Sequence, residues 1–117
     1  MGRTVLIVDD HAGFRRLARR MLEADGYAVV GEAADGRSAL AAARELRPDL
    51  VLLDVQLPDI DGFRVTEALV SAGEGPAIVL TSTRDEADYA RRVERSDARG
   101  FVAKSELSGD AIASLLR

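Results

Sequence analysis

A chain of 117 residues has the size of one domain, and 47% apolar residues supply a core that can bury roughly two thirds of the surface an unfolded chain exposes. A net charge of -4 and a pI near 5.0 argue against the basic face that non-specific nucleic-acid binding requires. The absence of cysteine excludes disulfides and thiolate metal sites, and it fits the cytoplasm. Met1-Gly2-Arg3-Thr4 leads straight into a strand-like run with no signal-peptide core, and no apolar stretch nears the roughly 18 residues of a membrane span. The expectation is a single cytoplasmic domain over residues 1–117, without membrane association.

The pattern alternates strand and helix five times. Strand one covers Thr4 to Val8, and helix one covers Ala12 to Ala24 with Phe14, Leu17, Met21 and Leu22 on one face. Asp25-Gly26 ends that helix, glycine being the usual residue past a helix C-terminus. Strand two covers Tyr27 to Ala33. Helix two covers Gly36 to Leu46, with Asp35 as its N-cap. Pro48 breaks the chain before strand three, Leu50 to Val55, and Pro58 and Gly62 punctuate the next loop. Helix three covers Phe63 to Val70. Ala72-Gly73-Glu74-Gly75-Pro76 forms a loop before strand four, Ala77 to Leu80. Helix four covers Arg84 to Arg95, with a thin apolar face of Ala87, Ala90 and Val93 that implies low local stability. Strand five covers Gly100 to Ala103, and helix five runs from near Ser108 to Arg117.

Short apolar runs between helices read as buried parallel strands in a three-layer α/β domain with right-handed crossovers. Five such units predict the flavodoxin-like sheet order 2-1-3-4-5. In such sheets ligands bind beyond the carboxyl ends of the strands. Four of these strands end on chemistry there: Asp9-Asp10 after strand one, Asp54 at strand three, Thr81 at strand four and Lys104 at strand five. Clustered carboxylates repel when empty, and Mg²⁺ relieves the repulsion with oxygen ligands. A carboxylate can take a phosphoryl group as an acyl phosphate when a metal and a cation offset the charge. Asp54 is therefore the candidate acceptor, with Asp9 and Asp10 as metal ligands. Lys104 serves as a point charge and Thr81 as a hydrogen-bond donor.

Val5-Leu6-Ile7-Val8-Asp9-Asp10-His11, Asp54-Val55-Gln56-Leu57-Pro58 with Gly62, Leu80-Thr81-Ser82 and Gly100-Phe101-Val102-Ala103-Lys104 together resemble the response-regulator receiver domain along the whole chain. The Asp-Asp-His start and Val30-Gly31-Glu32-Ala33-Ala34-Asp35-Gly36 are most similar to the subfamily often fused to helix-turn-helix output domains. The resemblance implies a two-component switch phosphorylated on Asp54 by a sensor histidine kinase or phosphotransfer protein. Asp10 and Asp54 would ligate Mg²⁺ directly, Asp9 mostly through water, and the Gln56 backbone carbonyl would complete the protein ligands. Thr81 and Lys104 would bind the phosphoryl group, and Phe101 would be the aromatic switch whose rotamer follows Thr81. The face of helix four, strand five and helix five would then change, passing the signal to a downstream protein, a fused output domain or a second copy in a homodimer. Self-catalysed phosphoryl chemistry would be slow, so the chain is not expected to be a metabolic enzyme.

Other features weigh less. The family often has Pro after the lysine, where this chain has Ser105, leaving open a cis peptide before it. Asp97 stands where Gly is common, and a left-handed turn there is expected to survive. His11 is expected to be a partly exposed helix-start residue. Arg15, Arg16, Arg19 and Arg20 are read as a stripe on the outer face of helix one, a kinase-docking candidate. Helix five ends about two turns short of the family norm, so a compact single-domain regulator is favoured over a receiver fragment of a longer DNA-binding regulator. Three rivals fit worse. A haloacid-dehalogenase phosphatase would want an acid two residues after Asp54, where Gln56 sits. A non-phosphorylated pseudo-receiver would not need the intact site. A dinucleotide-binding domain would need a Gly-x-Gly-x-x-Gly turn.

Overall fold

The computed structural model describes residues 3–71 and 75–117. Five parallel strands, β1 (Thr4–Val8), β2 (Ala28–Ala33), β3 (Leu50–Asp54), β4 (Ala77–Ser82) and β5 (Gly100–Ala103), form one sheet in the order β2-β1-β3-β4-β5. Between and after them come α1 (Ala12–Ala24), α2 (Gly36–Leu46), α3 (Gly62–Val70), α4 (Ala90–Arg95) and α5 (Gly109–Leu116). This is the expected flavodoxin-like order. Ala72, Gly73 and Glu74 of the expected loop, and Met1 and Gly2 at the start, lie outside the described residues.

Strand alternation divides the core. Val5, Ile7, Leu50, Leu52, Val79 and Val102 face one side and pack on Ala18 and Leu22 of α1 and Ile112 and Leu116 of α5. Leu6, Val8, Val51, Leu53, Ile78, Leu80 and Phe101 face the other and pack on α2 and α3, with Tyr89 and Val93 against them. The central strands are buried on both faces, as an all-parallel sheet requires. The same alternation continued past the strand ends puts Asp9, Asp54, Thr81 and Lys104 on the α1/α5 side and Phe101 on the opposite side.

Several local expectations change. Leu17 is 64% exposed, because Ala18 and Leu22, four residues apart, define the stripe of α1 that meets the sheet, and Leu17 lies a quarter turn away. β4 extends two residues further, to Ser82, through pairing of Thr81 with Val102 and Ser82 with Ala103. The expected helix from Arg84 splits into a 3-10 turn at Glu86–Asp88 and the short α4. Its inner face is Tyr89 and Val93, while Ala87 and Ala90 are exposed. Neither the peptide before Ser105 nor any other described peptide is cis, and Asp97 is not left-handed. Among the described residues the left-handed positions are Gly26, with φ +90°, after α1, and Arg47, with φ +47°, capping α2. Asp35 caps α2 as expected, accepting from the Ser38 N–H at 2.7 Å.

Gly62 begins α3 directly beneath the end of β3. Its N–H donates to the Val55 carbonyl at 2.8 Å. A Cβ added there would lie 2.5 Å from the Asp54 carbonyl oxygen and 2.9 Å from Val55 Cα, both backbone atoms that cannot swing aside. Gly62→Ala should therefore lower stability by about 1–3 kcal/mol. Urea denaturation is expected to show a lower midpoint at unchanged slope.

Candidate functional site

The site forms where β1, β3 and β5 end. Asp54 is the last residue of β3, paired in register with Thr81 of β4, and its side chain is almost wholly buried. The Gln56 N–H donates to Asp54 Oδ1 at 3.0 Å. Lys104 Nζ donates to Asp54 Oδ2 at 3.1 Å and stands 2.6 Å from Asp9 Oδ2. The ammonium also lies 4.3 Å from the centre of the Phe14 ring, whose face attracts a cation. One lysine from the sheet's far side thus bridges carboxylates from two central strands.

Asp9 is held from every side. Its N–H donates to the Ala33 carbonyl at 3.0 Å, and its own carbonyl accepts from Arg15 Nη1 at 2.7 Å. Its Oδ1 accepts from the His11 N–H at 2.8 Å. Its Oδ2 is fully buried and pairs with the Lys104 ammonium at 2.6 Å. The carboxylates of Asp9, Asp10 and Asp54, gathered at one sheet edge, are a donor set that fits a hard divalent cation. Asp9, Asp10, His11 and Asp54 offer ligand atoms that all lie within 4.8 Å of one another.

The electrostatics separate the two buried acids. Burial pushes the Asp54 carboxyl up to about 6, against the Gln56 N–H and the Lys104 ammonium, with the Asp9 charge adding to the rise. Burial acts on Asp9 in the same sense, but Lys104 and the His11 N–H overcome it and hold Asp9 below the usual carboxylate range. Burial alone would depress Lys104, yet its two carboxylate neighbours raise it, so it stays charged.

Thr81 and Phe101 take different places. Thr81 is buried and its hydroxyl donates to the Val102 carbonyl at 2.6 Å. Phe101 is buried on the far face, its ring 5.8 Å from Tyr89, which in turn lies 6.0 Å from Phe63. Arg92 of α4 rests 4.2 Å over Phe63 and pairs with Asp61. Sequence reasoning missed Tyr89, since a lone aromatic in a polar helix gives no periodic signal.

It also missed three anchors. Asp59 accepts from the N–H groups of Gly36, Arg37 and Ile60, which hold its carboxyl down at about 2 and tie the β3–α3 loop to α2. Arg15 and Arg19 do not stripe the outer face; both fold back onto Glu32 of β2, each at 2.9 Å, and only Arg16 and Arg20 remain exposed. Phe14 backs Lys104. Asp59 and Glu32 carry no motif that marks them apart from solvated acids.

The model of the response regulator receiver domain matches residues 5–116, and the chain belongs to that family. It is 41% identical over 102 residues, 87% of the chain, to a candidate transcriptional regulator of Pseudomonas aeruginosa, of which that match covers 49%. It is 39% identical over 101 residues to the response regulator GacA of Pseudomonas viridiflava, covering 86% of this chain and 47% of GacA. Among solved structures, a LuxR-family two-component response regulator from Aurantimonas superposes with a TM-score of 0.87 at 30% identity, covering 99% of this chain and 86% of that one. The chain spans about half the length of these curated relatives. Among the described residues no helix is long and apolar enough to cross a membrane.

The raised Asp54 pKa has a thermodynamic sign. The folded chain holds this proton more tightly than the unfolded one, so the ionised carboxylate costs stability above about pH 6. The cost fades as pH falls through the window from about 6 to about 4. With divalent metal chelated, Asp54→Asn should be more stable than wild type by about 1–3 kcal/mol near pH 7. Urea titrations at several pH values are expected to show the two converging near pH 4.

Proposed function

We propose that this domain is a phosphorylation-activated switch in which Asp54 accepts a phosphoryl group from a sensor histidine kinase or a phosphotransfer protein. The observation that carries the reading is the buried Asp54 carboxylate, joined through Lys104 to the buried Asp9 carboxylate. An oxygen of Asp54 forms the new bond to phosphorus as the bond to the donor's leaving group breaks. Lys104, already on Asp54 Oδ2, moves onto a phosphoryl oxygen and offsets its charge. The carboxylates of Asp9, Asp10 and Asp54 and the Gln56 backbone carbonyl would hold Mg²⁺. Bound there, Mg²⁺ supplies charge neutralisation and in-line orientation of the phosphoryl group. The slow self-catalysed gain and loss of phosphate that this site supports is switch chemistry rather than metabolic turnover.

Output follows from Thr81 and Phe101. A phosphoryl oxygen draws the Thr81 hydroxyl away from the Val102 carbonyl, which loosens the hold of β4 on β5. Phe101 lies on the next residue's opposite face, against Tyr89, so a shift at Val102 is felt at the ring contact that seats α4. The α4-β5-α5 surface is the bistable element, and the phosphoryl group biases it because Thr81 and Lys104 reach it better in one arrangement. That surface would meet a downstream protein, a fused output domain or a second copy of the chain. Coverage of about half of the transcriptional regulators among the relatives favours reading the whole protein as a receiver joined to a DNA-binding output domain. In either reading residues 1–117 make up the receiver unit, work in the cytoplasm, and do not themselves contact nucleic acid.

Acetyl phosphate with Mg²⁺ should add one phosphate to wild type and none to Asp54→Asn, as read by intact mass. Equal labelling of both would defeat the assignment, and no labelling of either would favour a pseudo-receiver. Beryllofluoride, a phosphoryl mimic, should perturb amide NMR signals from Ala87 to Lys104 more than those of α2. In Thr81→Ala the same mimic should still bind, while the distant part of that pattern shrinks.

A further inference from the structure

Of the 16 lysine and arginine side chains, only residue 104 is a lysine. Its ammonium is a point charge on a flexible four-carbon stem, so its neighbours fix its position. Three groups hold it: Asp9 Oδ2 at 2.6 Å, Asp54 Oδ2 at 3.1 Å and the Phe14 ring, whose centre lies 4.3 Å from Nζ. The Lys104 side chain is only 12% exposed, so little water competes for the ammonium. The two carboxylates take part in the proposed chemistry, and the ring does not. Phe14 heads the stripe that α1 lays on the sheet, in four-residue steps to Ala18 and Leu22. Its ring is half-buried against that core. The next residue, Arg15, ties the same turn to the Asp9 carbonyl at 2.7 Å. The ring is therefore a fixed face beside the pocket.

We infer that Phe14 is a positioning residue for phosphoryl transfer, its ring face keeping the Lys104 ammonium over the acceptor while the two carboxylates change partners. The inference rests on the reading of Asp54 as phosphoacceptor. In the resting pocket the carboxylate charges dominate the hold on Lys104. As an Asp54 oxygen bonds to phosphorus and the bond to the donor's leaving group breaks, that carboxylate loses its full charge. Asp9, as a proposed metal ligand, likewise has less charge to offer. Both attractions weaken at the step in which the lysine must meet a phosphoryl oxygen. The ring face is unchanged by the reaction, and it attracts a cation most where water is scarce. An aliphatic side chain would fill the same space without that attraction. The ring gives up no atom or proton, and Lys104 stays an ammonium throughout. Phe14 thus keeps a flexible side chain from swinging into solvent, so less freedom is lost when the new contact forms.

The test follows labelling by acetyl phosphate and Mg²⁺, read by intact mass, in wild type, Phe14→Leu, Phe14→Tyr, Lys104→Gln and the double variant of Phe14→Leu with Lys104→Gln. Phe14→Leu should label about threefold to tenfold more slowly, and Phe14→Tyr, which keeps the ring, within about twofold of wild type. In the Lys104→Gln background Phe14→Leu should slow labelling no further, a coupling that a merely structural residue lacks. Because the chain has one lysine, ¹³C-lysine gives a single Cε–Hε NMR signal, and protons over an aromatic face are displaced upfield. That signal should lie upfield of its position in Phe14→Leu and in the urea-unfolded chain, and stay upfield when beryllofluoride and Mg²⁺ are added. The comparison with the unfolded chain decides the matter even if Phe14→Leu does not fold or Lys104→Gln does not label. Three results would each overturn the role of Phe14 while leaving Asp54 as acceptor: wild-type rates in Phe14→Leu, equal slowing with and without Lys104, or a lysine signal with no upfield displacement in the beryllofluoride state. Failure of wild type to label at all would overturn the acceptor reading, and this one with it.

Discussion

The Lys104 ammonium between Asp9 and Asp54 is the interaction on which the rest of the site depends. Two buried carboxylates from adjacent central strands could not share so small a space without a cation. Lys104 supplies it from just past the end of β5, three strands from β1, so the pocket exists only when the whole sheet has closed in its final order. The Phe14 ring completes the seat of the ammonium and ties α1 to the same point. The split between the two acids follows. Asp9 gains the shorter contact to Lys104 and a backbone donor and stays ionised, whereas Asp54 is left with the larger share of the desolvation cost.

That asymmetry suits a phosphoacceptor. A carboxylate whose charge is expensive in the resting fold gains when phosphate, metal and lysine rearrange around it. A buried acid with a raised pKa is a recurrent sign of a functional site, because a fold selected only for stability would place a neutral residue there. The anchors around the pocket belong to the same construction. Glu32 gathers Arg15 and Arg19, and Arg15 in turn fixes the Asp9 carbonyl. Asp59 pins the loop after β3 to the start of α2. The geometry needed at three loop ends is thus held by hydrogen bonds from neighbouring elements rather than by the loops themselves.

Strand alternation would let one sheet serve the proposed chemistry and the proposed output at once. Residues of one parity along β3, β4 and β5 point toward α1 and α5 and end at Asp54, Thr81 and Lys104. The other parity points toward α2, α3 and α4 and includes Phe101. Thr81 touches both systems because its hydroxyl is spent on the backbone of β5, between Phe101 and Lys104. The α4 segment that would receive the signal is short and has no fully buried residue, held by Tyr89, Val93 and the Arg92–Asp61 pair. Low local burial makes it the element most readily repacked.

The sequence by itself determined the five strands and five helices, the order of the sheet and the five polar residues at its edge. Those features are written in local apolar runs, in proline and glycine punctuation and in the polar residue that ends each run. It did not determine the partners of those residues. That Leu17 faces water and Tyr89 faces Phe101, that Arg15 and Arg19 turn inward to Glu32, and that α4 is one short helix after a 3-10 turn depend on contacts between segments far apart in the chain. So does the raised pKa of Asp54, since desolvation and the charges of Asp9 and Lys104 arise only when three strand ends are brought together. A pattern of residues can place a carboxylate at a strand end, but only packing decides how much water that carboxylate loses and which cation replaces it.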